Sequence, residues 1–491
     1  MAIFFGFAVR VNIERLSNFS FKGRDLAIFC QSLNSAGHGG LLRNSMELHG
    51  LKLGGSEEKI PGFLSLGGIS HLGVHWSPIL FVLAPVYRIA ANPLTLQILQ
   101  SLLLALSVLP VFFFARRLLG GSQIAFLVGL AFLMQPLTMI LATDSFRENA
   151  VAVPILGLLF YSGLCNKTRM FVLALLAAVL IKEDVAGIAF LFGFGLLVNR
   201  RKRLGAMSII ASSVALFLCI LALHFFRDGV PSDHLLFYKQ FGSGFVEIAA
   251  NIFGNPILAL EVAWSKMEHQ CLMHLLGPWL FLPLVSPFSL LGLPIVLINL
   301  LSSQPYQHDA VNYSNLLLIP ILAFAAVDGL SRVRQWVEKL AAKKLEQKAW
   351  VKAQGTLVVA IVIGWFVASG LVFHQLLPGV KRVQRSSLSR EEREGARQMM
   401  NQIPKLASVM ASHLFLPELA NRKELFSPWN VPKFRPDYVL IHSQAASNWP
   451  HRNSGDRDQF VLGLVKNEYS SQRIGRVFLF KRGGLDRATD P

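Results

Sequence analysis

Long apolar runs broken by short polar stretches fill most of the chain up to residue 376. They fall near 1–19, 94–114, 124–142, 149–165, 170–181, 185–198, 206–226, 272–285, 288–301, 314–330 and 356–376. Runs of about 18 or more apolar residues match a ~30 Å hydrocarbon core, so the pattern predicts a mostly α, polytopic helical membrane protein with about 9–11 transmembrane helices. The opening "MAIFFGFAV" is too short to span and has no small-residue cleavage site, so it reads as half of a first helix or a short tilted anchor. Beyond about 377 the apolar runs shorten. "EEREGARQMMNQI" predicts a helix, and "ASVMAS", "DYVLIHS" and "GRVFLFKR" predict strands. The expected division is a transmembrane domain over 1–376, with an outer-face loop at 20–93 and a cytoplasmic basic loop at 331–353. A small α/β domain over 380–491 is expected outside the membrane.

Charge placement sets the orientation. Only 15% of the 491 residues are charged, 53% are hydrophobic and the mean hydropathy is +0.47. The net charge of +18 gathers in short loops: "ARRLLGG" (115–121), "NKTR" (166–169), "NRRKR" (199–203) and the stretch 331–352. That is the positive-inside pattern of a cell-membrane protein in contact with anionic lipid, and it argues against nucleic acid as the partner. It also bears on "ALLAAVLIKEDVAGIAFLFGFGLLVNRRKR" (174–203), where Lys182, Glu183 and Asp184 interrupt the apolar run. One continuous helix over 170–198 would put "NKTR" and "NRRKR" on opposite sides. A helical hairpin with its tip at Lys182–Asp184 keeps both inside, with arms of about 13–15 residues that are short for a span. The tip is then expected just below the outer surface, in a protein-lined or watery recess. On this alternation 227–271 and 302–313 face out. Cys30, Cys165, Cys219 and Cys271 show no metal or CxxC spacing and read as free thiols.

Sorting the ionisable residues by side collects most carboxylates on the outer face. Asp25 lies in "FKGRDLAIFCQS" with Gln31 after it, His75 in "HLGVHWSPILF", and Asp144, Arg147 and Glu148 in "TDSFREN". The Lys182–Asp184 tip follows, then His308, Asp309 and Tyr313 in "QPYQHDAVNYS". A carboxylate can deprotonate an acceptor hydroxyl or hold a divalent cation, Mg or Mn. Arg and Lys at head-group level can neutralise a lipid phosphate as it leaves. Each residue also has a purely structural reading. Lys182 can pair with Glu183 or Asp184, Asp144 and Glu148 can serve the helix starting at 149, Asp25 can cap its own helix, and His75 can anchor at the interface. Asp437 in "RPDYVL" reads as an ordinary strand start.

The stretches "GRDLAIFCQSL", "HWSPILFVLAPVY", "TDSFRENAVAVP", "LIKEDVAG", "YQHDAVNYSNLLLIPILAFAAVDGL" and "RPDYVLIH" resemble, in order and spacing, the predicted membrane-protein family called domain of unknown function 2079. That family resembles GT-C-type glycosyltransferases, which use polyprenyl-phosphate sugars. The resemblance implies that Asp25 is the first-loop base or metal ligand and that Asp144 and Glu148 form the second acidic motif. Arg147, Lys182, His75, Gln31 and Tyr313 would bind substrate or phosphate. Glu183, Asp184, His308 and Asp309 would support them, with Asp25 and Glu148 the metal ligands. Here the second motif reads "DSFRE" where the family usually has Asp-Phe-His-x-Glu, and "RDLA" stands for Phe-Asp-Leu-Gly. The reading is a transferase moving a sugar from a polyprenyl-phosphate donor at the outer face. The alternatives are a transporter or flippase for a lipid-linked or small anionic substrate, and a non-catalytic membrane scaffold.

Overall fold

A computed structural model describes residues 1–21, 23–48, 57–230, 232–267, 269–341, 347–384, 388–428, 435–443, 463 and 469–483. Residues 342–346 of the expected basic loop and parts of the expected 380–491 domain lie outside that set. Two compact units emerge: one takes in Met1–Val9, Leu99–Leu221 and His234–Val380, the other Arg10–Ile98, Ala222–Asp233 and Lys381–Pro491.

In the first unit the apolar runs become helices that pack through small residues. Pro93–Leu119, Lys202–Phe226 and Val359–Leu376 are, among the described residues, long and apolar enough on their own to cross a membrane. Ser122–Leu133, Asn149–Leu164 and Thr168–Val179 are shorter apolar helices. The expected hairpin is present: Thr168–Val179 and Glu183–Val198 are separate helices joined through Leu180–Lys182. At 1.5 Å per residue these arms reach about 18 and 24 Å, less than the hydrocarbon thickness. The second arm meets Lys202–Phe226 backbone to backbone. A Cβ on Gly193 would stand 3.0 Å from the Gly205 oxygen, and one on Gly205 2.8 Å from the Gly193 oxygen. Ser208 Oγ donates to the Ala189 carbonyl at 2.7 Å across the same seam. Without water to drive association, such close approach and interhelical hydrogen bonding hold membrane helices together.

Two expected elements differ. The stretch 227–271, read as an outer loop, contains the apolar helices Phe245–Gly254 and Pro256–Lys266, bent 95° at their junction, which together are apolar enough for a broken span or re-entrant loop. Asn255 makes the break, its Oδ1 accepting from Leu258 N at 3.2 Å ahead of Pro256. Each half is too short to register as an apolar run. Conversely, 272–285 is not a span. Its helix ends at Leu276, and Gly277–Trp279 and Leu282–Val285 form 3-10 turns with Leu280 and Phe281 at φ 50° and 56°. Pro278 and Pro283 have no N–H for a helical ladder, and that punctuation outweighs hydropathy.

The second unit carries a five-stranded mixed sheet. The described strands β1 (Arg43–Asn44) and β2 (Ile69–Ser70) form a separate antiparallel pair. The sheet is built from β3 (Val409–Ala411), β4 (Leu425–Phe426), β5 (Tyr438–His442), β6 (Tyr469–Ile474) and β7 (Val477–Arg482), in the order β4-β3-β5-β7-β6. The β3 pairings are parallel, and those of β7 with β5 and β6 antiparallel. Met410, Phe426, Val439, Ile441 and Phe480 bury one apolar cluster on it. The expected strands and helix are all found, the helix at Arg390–Asn401. Asp437 is structural: Oδ2 accepts from Ser408 N and Oγ, and Oδ1 from Arg482 Nη2 at 2.7 Å.

Glu392 joins helix to sheet. It closes a capping box with Ser389, and Arg476 grips it at 2.8 and 2.9 Å with Nε and Nη2. That fork, outweighing the cost of burial, pushes the Glu392 carboxyl from 4.5 down to about 2. A carboxyl so depressed stabilises the fold above its ordinary range, and the contribution disappears as pH falls towards about 2. Glu392→Gln is expected to cut amide hydrogen-exchange protection in β7 by about 2 kcal/mol at pH 7. The gap should narrow below pH 4.5; equal protection at pH 7 would show the fork to be idle.

Candidate functional site

The helix packing of the first unit brings three distant stretches to the hairpin tip. Glu148 precedes the helix Asn149–Leu164, and Lys182 precedes the second hairpin arm. Lys182 Nζ lies 2.8 Å from Glu148 Oε1, with side-chain exposures of 14% and 2%. The partner is therefore Glu148, 34 positions away in the chain, not the adjacent carboxylates; Asp184 and Glu183 add attraction from behind. Asp184 is held in turn: Oδ2 accepts from Asn149 Nδ2 at 3.1 Å and Oδ1 from Val185 N at 2.8 Å. Arg147 lays its guanidinium over the Tyr313 ring, 3.6 Å from the centroid.

Gln100 orders the loop before this cluster, and sequence reading missed it. Its Nε2 donates to the Leu141 and Asp144 carbonyls at 2.7 and 3.0 Å, and its Oε1 accepts from Arg147 N at 3.0 Å. Ser101 Oγ adds a bond to the Ala142 carbonyl. The available signal was a Gln-Ser pair inside the apolar run 94–114. His308 and Asp309 shape their own segment. The His308 ring bonds the Ser302 carbonyl at 3.0 Å, and Asp309 Oδ1 accepts from Val311 N at 3.1 Å. Asn315 Nδ2 ties the same turn to the Asp309 and Ala310 carbonyls, just after Tyr313.

Asp25, Gln31 and His75 belong to the second unit. Asp25 sits in the first turn of the helix Gly23–Gly37, where a carboxylate also offsets the helix dipole. That helix lies against the sheet region so closely that a Cβ on Gly23 would collide with the His413 oxygen at 1.7 Å. Gln31, expected to bind substrate, is otherwise engaged. Its Nε2 donates to Ser45 Oγ and to the Arg422 and Lys423 carbonyls at 2.9–3.0 Å, and its Oε1 accepts from Ser45 N. Buried with these bonds made, it is a bracket between helix and sheet.

Beside it lies a dyad that was not foreseen. His71 Nδ1 is 2.9 Å from Glu47 Oε1, and Asn44 Nδ2 donates to Glu47 Oε2 at 2.6 Å. Burial alone would push the Glu47 carboxyl up; His71, then Asn44 and His75, outweigh it and hold it below the ordinary range. An ionised carboxylate only accepts, so Nδ1 carries the hydrogen. Exposures of 2% and 8% make this pair a brace for the loop that presents His75, whose ring meets His71 edge-on at 5.8 Å. Two histidines four apart in "HLGVH" were the legible sign.

Among the described residues no three His, Cys, Asp or Glu side chains gather so as to hold a metal ion. Glu148, one expected ligand, is neutralised by Lys182. Among the described residues these candidate ligands do not gather into a cation site.

A model of the family of predicted membrane proteins known as DUF2079 matches residues 15–474. The chain belongs to that family. No curated protein matches the sequence. Among solved structures, the fold is similar to ArnT from Cupriavidus metallidurans bound to undecaprenyl phosphate. The TM-score is 0.55 at 12% identity, covering 99% of this chain and 98% of that one. The apo state of the same protein aligns at 0.48, with 12% identity and 92% of each chain covered. This DUF2079 protein is thus a mostly helical, multi-pass membrane protein with an ArnT-like fold and a C-terminal mixed sheet.

Breaking the pair at the tip should cost more than removing it. Lys182→Ala strands a buried carboxylate and is expected to destabilise the protein by about 3–5 kcal/mol, whereas Lys182→Met with Glu148→Gln should recover most of that. Thermal unfolding in detergent checks the order. A double variant no better than Lys182→Ala would mean that the charges themselves are needed for folding.

Proposed function

We propose that this protein transfers a sugar from a polyprenyl-phosphate donor to a hydroxyl acceptor at the membrane face carrying the Lys182 tip. The observation that carries the reading is the cluster of Lys182, Glu148, Arg147 and Tyr313, two cations, a carboxylate and an aromatic ring gathered at the hairpin tip. The ArnT-like fold is its background, and the undecaprenyl phosphate named with that structure makes a polyprenyl phosphate the first ligand to try.

In the proposed reaction the acceptor oxygen loses its proton to a carboxylate and attacks the anomeric carbon. A new glycosidic C–O bond forms as the bond from that carbon to the phosphate oxygen breaks. The leaving group is the polyprenyl phosphate, which gains negative charge. Arg147 and Lys182 stabilise that charge, Arg147 with a planar fork preset by Tyr313. Asp25 is assigned the base, with Asp144 supporting the acceptor; both assignments rest on the family resemblance.

Wild-type protein purified in mild detergent and incubated with undecaprenyl phosphate should hold one copy in native mass spectra, and Arg147→Gln should lose it. Asp25→Asn should keep the lipid and lower sugar transfer by about 100-fold or more. Failure of the wild type to bind, or full transfer by Asp25→Asn, sinks the reading.

One observation favours transport instead: the 95° break at Asn255 resembles the discontinuous helices of transporters. Lipid translocation in proteoliposomes without sugar transfer would decide for that reading. Neither activity in folded protein would leave the membrane scaffold.

A further inference from the structure

The hairpin has a second end. From Glu183 to Val198 sixteen residues of helix separate it from the Lys182 tip, a distance of about 24 Å. There the first unit opens a cleft of about 760 Å³. Its walls are apolar, formed by Leu118, Phe192, Leu196 and Phe288 among others. Phe160 and Phe324 back them: Phe160 meets Phe192 and Phe288 edge-on at 5.0 and 4.9 Å, and Phe324 stacks beside Phe288 at 5.9 Å. Aromatic packing thus backs the Phe192 and Phe288 part of the wall.

The rim is cationic. Arg117, Arg201 and Arg332 line it, against a single lining carboxylate, Asp328. That carboxylate is already occupied: Arg332 Nε lies 2.7 Å from its Oδ2, and Ser286 Oγ donates to the same oxygen. Arg201 is anchored through one guanidinium nitrogen to the Gly163 carbonyl. Arg117 and Arg201 thus bring positive charge that no carboxylate lining the cleft balances. The rest of the rim is greasy, with Val198 and Leu290 82% and 65% exposed. A soluble anion would find cations here but no use for such walls; an amphiphile uses both.

We propose that this cleft is a binding site for an anionic phospholipid of the surrounding bilayer, from the leaflet facing the basic loops. Its acyl chain lies along the Leu118–Phe192–Phe288 walls, and its phosphate sits between Arg117 and Arg201. The volume is in the range of small-molecule ligand sites, and guanidinium groups match phosphate oxygens in geometry and charge. The site is independent of the donor site proposed at Lys182, so either can fail alone.

Gly195 supplies the test. It lines the cleft, and a Cβ there meets no atom within 4 Å, so a larger side chain enters space the protein leaves open. The full chain, delipidated in detergent, is titrated in native mass spectrometry with phosphatidylglycerol, phosphatidylcholine or undecaprenyl phosphate. Wild type is expected to retain one phosphatidylglycerol under activation that strips phosphatidylcholine. Gly195→Trp should abolish that retention with unchanged melting, and Arg117→Gln should weaken it roughly fivefold. Equal retention of the two phospholipids, undiminished phosphatidylglycerol in Gly195→Trp, or a Gly195-dependent preference for undecaprenyl phosphate would each overturn the assignment.

Discussion

A chain that turns back within the thickness of a bilayer must satisfy the backbone and charge at the bend from its own side chains, because bulk water is scarce there. That constraint governs the tip between Thr168–Val179 and Glu183–Val198. Glu148 neutralises Lys182 at 2.8 Å, Asn149 holds Asp184, and Asp184 in turn binds the Val185 amide. Both partners, Glu148 and Asn149, come from the start of another helix. The polar groups of the bend are therefore satisfied by its packing against the start of Asn149–Leu164.

The same physics recurs at two buried glutamines. Gln100, 1% exposed within an apolar helix, bonds three backbone groups of the loop 141–147. In the other unit Gln31 does likewise for Ser45 and the stretch 422–423. A buried amide left unpaired would cost a few kcal/mol, so each residue acts as a clamp with one allowed geometry. The loop that carries Asp144 and Arg147, and the one at Ser45, are thereby tied to a neighbouring helix.

Charge along the first unit is divided by the hairpin's length. At one end Lys182 pairs with Glu148, with Asp184 and Arg147 alongside; at the other, no carboxylate lining the cleft is left to balance Arg117 and Arg201. Arg334 pairs with Glu338 at 3.0 Å and caps the end of the helix Val108–Leu119 through the Leu119 carbonyl at 3.0 Å. Compensated charge can stay buried away from water. Surplus positive charge suits a surface against anionic lipid.

Much of this was written in the linear pattern. Hydropathy located the apolar helices, the basic loops required a hairpin at Lys182, and short apolar segments located β3, β5 and β7. Those features depend on local periodicity and on counts of charge, which a single chain displays directly. The broken pair at Asn255 and the collapse of 272–285 into turns were hidden, because a few proline and asparagine residues redirected runs whose hydropathy said otherwise. The partner of Lys182, the clamps Gln100 and Gln31, and the Glu47–His71 brace were decided by tertiary structure alone. A buried polar side chain takes its partner from whichever helix end or loop the packing delivers, and sequence distance carries no record of that delivery.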